Sequence, residues 1–129
     1  MIVVDSSVWI SYFADRDTEE TLRLQDYARQ QVLVVGDIIL LEVLRGARSE
    51  QAARIMESHL RQFRWAPMLD AELAVVAARY YRLLRGRGAT IRSSVDMIIG
   101  TYCIEHGHAL LQRDRDFRPM RDHLGLTLA

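Results

Sequence analysis

Five acidic side chains stand where the surrounding sequence does not ask for an acid. Asp5 directly follows the apolar run Ile2-Val3-Val4, and Glu42 lies inside IILLEVL. Asp96 lies inside VDMII, and Asp114 and Asp116 follow the apolar ALL in QRDRDF. Each has a plain structural explanation. Asp5 can cap a helix, and Asp96 stands three residues after Ser93, the spacing of a capping box. Glu42 can reach solvent from an amphipathic helix, and Asp114 and Asp116 can pair with Arg113 and Arg115. Gathered in one place, the same acids would repel each other and some would stay protonated. A hard divalent cation removes that conflict, because Mg²⁺ and Mn²⁺ prefer oxygen ligands and partly hydrated sites.

The elements that must position these acids follow from periodicity and caps. Ile2-Val3-Val4 reads as a buried strand. Asp5, Ser6 or Ser7 can open a helix carrying Val8, Trp9, Tyr12 and Phe13, and a second helix is expected from about Thr18 to Gln30. Val32 to Val35 reads as a strand. Asp37 is expected to cap a helix over Ile38 to Arg45 that Gly46 closes. Ser49 starts a helix with Ala52, Met56, Leu60 and Phe63 on one face, and Arg64-Trp65-Ala66 is a short strand. Asp70 caps a long helix with Leu73, Val76, Ala77, Tyr80 and Leu84 at the 3.6-residue period, ended by Gly86 and Gly88. Ser93 or Ser94 opens a helix to about His106, with Gly107 after it; Ala109-Leu110-Leu111 is a fourth strand and Leu126-Thr127-Leu128 a fifth.

Strands alternating with helices predict an α/β fold with a mostly parallel sheet under helices. In an open parallel sheet, ligands bind beyond the carboxyl ends of the strands, where the strand order reverses. With an order of 3-2-1-4-5, Asp5 and Asp114 end neighbouring strands at that point. Asp96 and Glu42 can then close over the same crevice.

Composition narrows the function. The chain has 129 residues, the size of one domain, here taken as 1–129. All 17 basic residues are Arg. Without lysine there is no P-loop, no Schiff base and no kinase strand lysine. Receiver domains and haloacid-dehalogenase-type phosphatases fail the same test. The single cysteine, Cys103, excludes an internal disulfide, and no Cys/His zinc spacing occurs. His106 and His108 flank Gly107 and read as a helix-end turn, and Trp9 and Trp65 as core. No apolar run approaches a membrane span. The start MIVVDSSVW has no basic stretch before its apolar one, so a cytoplasmic location is expected.

Net charge is zero, but its distribution is uneven. Residues 1–44 carry eight acids and three Arg, whereas residues 73–95 carry five Arg and no acid. Those five, Arg79, Arg82, Arg85, Arg87 and Arg92, are candidates for gripping phosphates, a role that suits the guanidinium fork. Tyr80 and Tyr81 could stack on bases.

The ordered set VVDSSVWI, LLEVLRG, SSVDMIIG and RDRDF resembles the PIN-domain ribonucleases and, more narrowly, the VapC toxins of toxin–antitoxin pairs. The resemblance covers nearly the whole chain. It implies that Asp5, Glu42, Asp96 and Asp114 are the catalytic acids, with Asp5, Asp96 and Asp114 on the metal. Asp116 would be an outer partner, and Ser7 would hold a water in the ion's shell. Two departures stand out: Gln112 where the family often has Thr or Ser, and Gly100 where alanine is usual. The resemblance further implies a Mg²⁺- or Mn²⁺-dependent endoribonuclease leaving 5′-phosphate and 3′-hydroxyl ends. It implies a homodimer and a VapB-type antitoxin partner with an Arg or Lys side chain pointing into the acidic pocket. The competing expectations are a non-catalytic PIN-like module that binds RNA or protein, and a metal-independent ribonuclease using 2′-hydroxyl attack.

Overall fold

Short runs of three or four residues between helical segments form the four strands, and with seven α-helices they make up the computed structural model, which describes residues 1–129. In chain order these are β1 (Ile2–Val4), α1 (Ser6–Phe13), α2 (Glu19–Arg29), β2 (Leu33–Gly36), α3 (Asp37–Leu44) and α4 (Glu50–Leu60). Then come β3 (Arg64–Ala66), α5 (Ala71–Gly86), α6 (Ser94–His106), β4 (Ala109–Leu111), a 3₁₀ turn at Arg115–Phe117 and α7 (Arg118–Leu124). The sheet is parallel throughout with the order β3-β2-β1-β4. Parallel strands buried on both faces read as unbroken apolar runs. Val3, Val4, Val34, Val35, Leu110 and Leu111 are accordingly buried.

The expected fifth strand is reduced to one parallel bridge between Leu128 and Leu110. Leu110 N–H donates to Thr127 O at 2.9 Å and Ala129 N–H to Leu110 O at 2.8 Å. Two hydrogen bonds around one residue place the segment beside β4, as expected, without making a strand.

Helix boundaries differ in instructive ways. Gly36, not Asp37, caps α3. The Asp37 carboxylate instead accepts from Ile38 N at 2.8 Å and from Met68 N at 3.0 Å, tying the β3–α5 connection to the start of α3. A Cβ on Gly36 would meet Met68 Sδ at 2.2 Å, so a larger residue there would require the Met68 side chain to shift. Arg45 rather than Gly46 caps the end of α3. Helix α5 runs through Gly86 and ends at Arg87, with Gly88 left-handed at φ 81°. Helix α7 was not expected; its signals are Pro119 in the first turn and left-handed Gly125 after the last.

Helix α6 is the central helix, with Met97, Ile99, Gly100, Thr101, Tyr102 and Cys103 all buried. Gly100 lets α7 close on it, since a Cβ there would meet Met120 Cε at 2.3 Å. Trp9 is fully buried against Phe13 and Phe63. Trp65 packs against the core but is only half-buried: its Nε1–H donates to Leu60 O at 2.9 Å, and Arg61 lies over its ring.

Candidate metal centre

The parallel pairing of Val4 with Leu111 sets the ends of β1 and β4 side by side. Asp5 N–H donates to Leu111 O at 2.9 Å, which pins the first acid to the end of β4. Asp5 also caps α1: its Oδ2 accepts from Ser7 N at 3.3 Å and from Ser7 Oγ at 2.7 Å. The side chain is 4 % exposed, and its other oxygen, Oδ1, is buried with no hydrogen-bond partner.

The other acids arrive from three separate segments. Asp96 occupies the third position of α6 and its N–H donates to Ser93 Oγ at 3.3 Å. The reciprocal capping-box bond is missing, so the Asp96 carboxylate is left facing the cluster. Asp114 caps the 3₁₀ turn, its Oδ1 accepting from Asp116 N at 2.9 Å. That turn swings Asp116 inward, and Asp96, Asp114 and Asp116 each offer a carboxylate oxygen within 4.8 Å of the others. Glu42 extends from α3 and accepts from Ser6 Oγ at 2.9 Å.

Asp5 does cap a helix, but the pairing of Asp114 and Asp116 with Arg113 and Arg115 does not form. Arg113 turns away to Ser11 Oγ at 3.2 Å and Glu20 at 3.6 Å. None of the five acids takes part in a salt bridge. The cost appears in the proton affinities. Burial, followed by the charges of Asp5, Asp114, Glu42 and Asp116, pushes Asp96 up to about 7. Burial also raises Asp5, against the opposing Ser7 hydrogen bonds, and Glu42 adds to the rise. A carboxyl raised this far by burial and by acidic neighbours, with no basic partner, makes the cluster a candidate cation site.

An all-oxygen donor set with an unpartnered buried oxygen fits Mg²⁺ or Mn²⁺. Asp96, Asp114 and Asp116 are the three acids whose carboxylate oxygens come within 4.8 Å of one another. Asp5 is more deeply buried than these three. Ser7, assigned to a water by resemblance, spends its hydroxyl on Asp5. Sequence reading missed Ser6; the only signal was its place between Asp5 and Ser7.

The five arginines are exposed and none has a carboxylate partner. Arg85 reaches Tyr81 Oη at 3.4 Å, and Arg87 lies 3.5 Å from His123 Nδ1. Arg82 and Arg92 flank a cleft of about 560 Å³ that also contains Tyr81 and Met97. Tyr80 is tied to Glu105 at 3.1 Å.

Residues 2–122 match the PIN domain. The chain belongs to the PIN domain family. Among curated relatives, this PIN domain is 29% identical over 122 residues to "VapC ribonuclease Mb1587" of Mycobacterium bovis and equally to "Ribonuclease VapC11" of Mycobacterium tuberculosis. Each match covers 91% of this chain and 89% of the relative. Among solved structures, it is similar to VapBC2 from Rickettsia felis bound to a DNA fragment from their promoter. That likeness has a TM-score of 0.79 at 14% identity and covers 100% of this chain and 98% of that one. It is also similar to FitAcB from Neisseria gonorrhoeae, with a TM-score of 0.77, 17% identity and coverage of 99% and 96%. These likenesses establish the fold of this PIN domain. No helix in it is long and apolar enough to cross a membrane.

Proposed function

We propose that this PIN domain is a Mg²⁺- or Mn²⁺-dependent endoribonuclease, the toxin of a VapBC-type toxin–antitoxin pair. The observation that carries the reading is the convergence of five carboxylates from four separate segments with no basic partner among them. The VapC ribonuclease relatives and VapBC-type neighbours support the same reading.

Asp5, Asp96 and Asp114, with Asp116 beside them, would hold the ion. When bound, the ion supplies Lewis-acid stabilisation of phosphoryl charge and makes water a stronger nucleophile. The chain's own residues do the rest. Ser7 keeps Asp5 Oδ2 occupied, so Oδ1 is the oxygen left to act. Ser6 occupies Glu42 Oε1, which leaves Oε2 to accept the proton of the attacking water. Arg79, Arg82, Arg85, Arg87 and Arg92 grip the RNA backbone. Attack of water at phosphorus breaks the bond to the 3′-oxygen and leaves 5′-phosphate and 3′-hydroxyl ends. A homodimer and a VapB-type antitoxin complete the assembly, with a basic antitoxin side chain occupying the acid cluster.

The test is cleavage of total cellular RNA by the purified, antitoxin-free protein with Mn²⁺ or with EDTA, alongside Asp96→Asn. Discrete cuts with 5′-phosphate ends that need both the metal and Asp96 are expected. Cuts that persist in EDTA and leave cyclic phosphates would replace this mechanism with 2′-hydroxyl attack. Binding of RNA without any cleavage would leave a non-catalytic binding module.

A further inference from the structure

Helix α1 opens with two serines, and the structure gives each a different acid. Ser7 Oγ donates to Asp5 Oδ2 at 2.7 Å, a contact two residues long. Ser6 Oγ donates to Glu42 Oε1 at 2.9 Å, across 36 residues of chain and between two helices. Successive helix positions are turned by about 100°, so neighbouring hydroxyls on one first turn reach different carboxylates. Nothing else holds Glu42. It is half-buried within an apolar stretch of α3, forms no salt bridge, and receives no other side-chain hydrogen bond. A glutamate has three rotatable side-chain torsions, so without a partner this one is free to turn away from the cluster. The Ser6 hydroxyl opposes that turn. It fixes one carboxylate oxygen and leaves the other as the only free one.

We propose that Ser6 is a positioning residue that acts through Glu42, holding its free Oε2 toward the acid cluster. The inference rests on the reading of the cluster as a metal-dependent nuclease centre and adds a residue to it. Ser6 touches neither substrate nor ion. Its part is to set the geometry of a carboxylate that would otherwise turn toward solvent. Partners of this kind, one bond removed from the reacting groups, are worth about 10- to 100-fold in metal affinity or activity.

The test is a double-mutant cycle of Ser6→Ala and Glu42→Gln, with Ser6→Thr as the variant that keeps a hydroxyl. Two quantities are read: kcat and KM on single-stranded RNA with Mn²⁺, and Mn²⁺ affinity of the RNA-free protein by electron paramagnetic resonance. Thermal melting checks that each variant folds. Ser6→Ala is expected to lower kcat by about 10- to 100-fold with KM unchanged. It is expected to have no further effect once Glu42 is Gln, and Ser6→Thr is expected to restore the rate. Full kcat in Ser6→Ala, or losses that multiply in the double variant, would overturn the proposal. If the wild type cuts no RNA but binds Mn²⁺, the nuclease reading fails. The affinity cycle then still decides whether Ser6 and Glu42 act as a unit. A protein that neither cuts RNA nor binds Mn²⁺ overturns both.

Discussion

The outer helices and the strand ends treat charge in opposite ways. On α2 and α4, acids and arginines stand three or four residues apart and satisfy each other: Arg23 with Glu19, Arg29 with Asp26, Arg61 with Glu57. All six side chains are largely exposed, and such pairs contribute little to stability. At the ends of β1 and β4, five acids meet with no arginine among them and are restrained only by hydroxyls and backbone N–H groups. Seventeen arginines were available, and the fold turns even neighbouring Arg113 away. Charge on α2 and α4 is arranged in satisfied pairs, whereas the cluster retains repulsion that a bound cation would relieve.

That contrast can be broken most sharply at Asp96. Asp96→Asn is expected to cut RNA cleavage by at least about 100-fold, since it removes a ligand rather than a ligand's support. The same change should raise the melting temperature of the metal-free protein at pH 8, because a charge held against four others is gone. A gain of 1 kcal/mol corresponds to about 4 °C in a domain of this size. A fall in the metal-free melting temperature would mean that Asp96 is structural.

The unpaired arginines of α5 form the second contrast. Each phosphate contact on a single strand contributes about −0.7 to the slope of log affinity against log salt. Replacing Arg79, Arg82 and Arg85 by Ala should flatten that slope by about 2 in filter-binding measurements on the Asp96→Asn protein. An unchanged slope would place RNA on another face. The paired surface supplies the smallest effect. Arg23→Ala should change unfolding free energy in urea by less than about 1 kcal/mol and leave cleavage untouched.

Much of this was legible from residue order alone. Asp5, Glu42 and Asp96 each break into or end an apolar run, and an apolar run in a parallel α/β chain is a buried strand or helix, so the interruption needs a reason. The neighbouring of β1 and β4, expected only on a 3-2-1-4-5 strand order, is present in the sheet. What stayed illegible depends on contacts between distant segments. Asp37 looks like a cap until Met68 N takes its carboxylate. Asp116 looks peripheral until the 3₁₀ turn brings it beside Asp96. Ser6 carries no pattern of its own, because its partner lies 36 residues away. Trp65 was assigned by hydrophobicity alone, which does not count the hydrogen bond its ring nitrogen needs. Helix α7 is too short for periodicity to reveal and is announced only by Pro119 and Gly125.

The central claim is that the strand-end carboxylates are a divalent cation site whose repulsion the ion relieves. Asp96 titrates near 7 in the metal-free fold, against an ordinary 3.8. A raised carboxyl pKa contributes stability that is fully present below the ordinary value and lost as pH rises through the folded one. An ion needs the deprotonated form, so its affinity must rise over the same interval. The most direct measurement is a Mn²⁺ titration of the metal-free protein at pH 6 and pH 8, with Asp96→Asn in parallel. Tighter binding at pH 8 that is lost in Asp96→Asn is the predicted result. Binding that is indifferent to both pH and Asp96, or no binding at all, would contradict the claim.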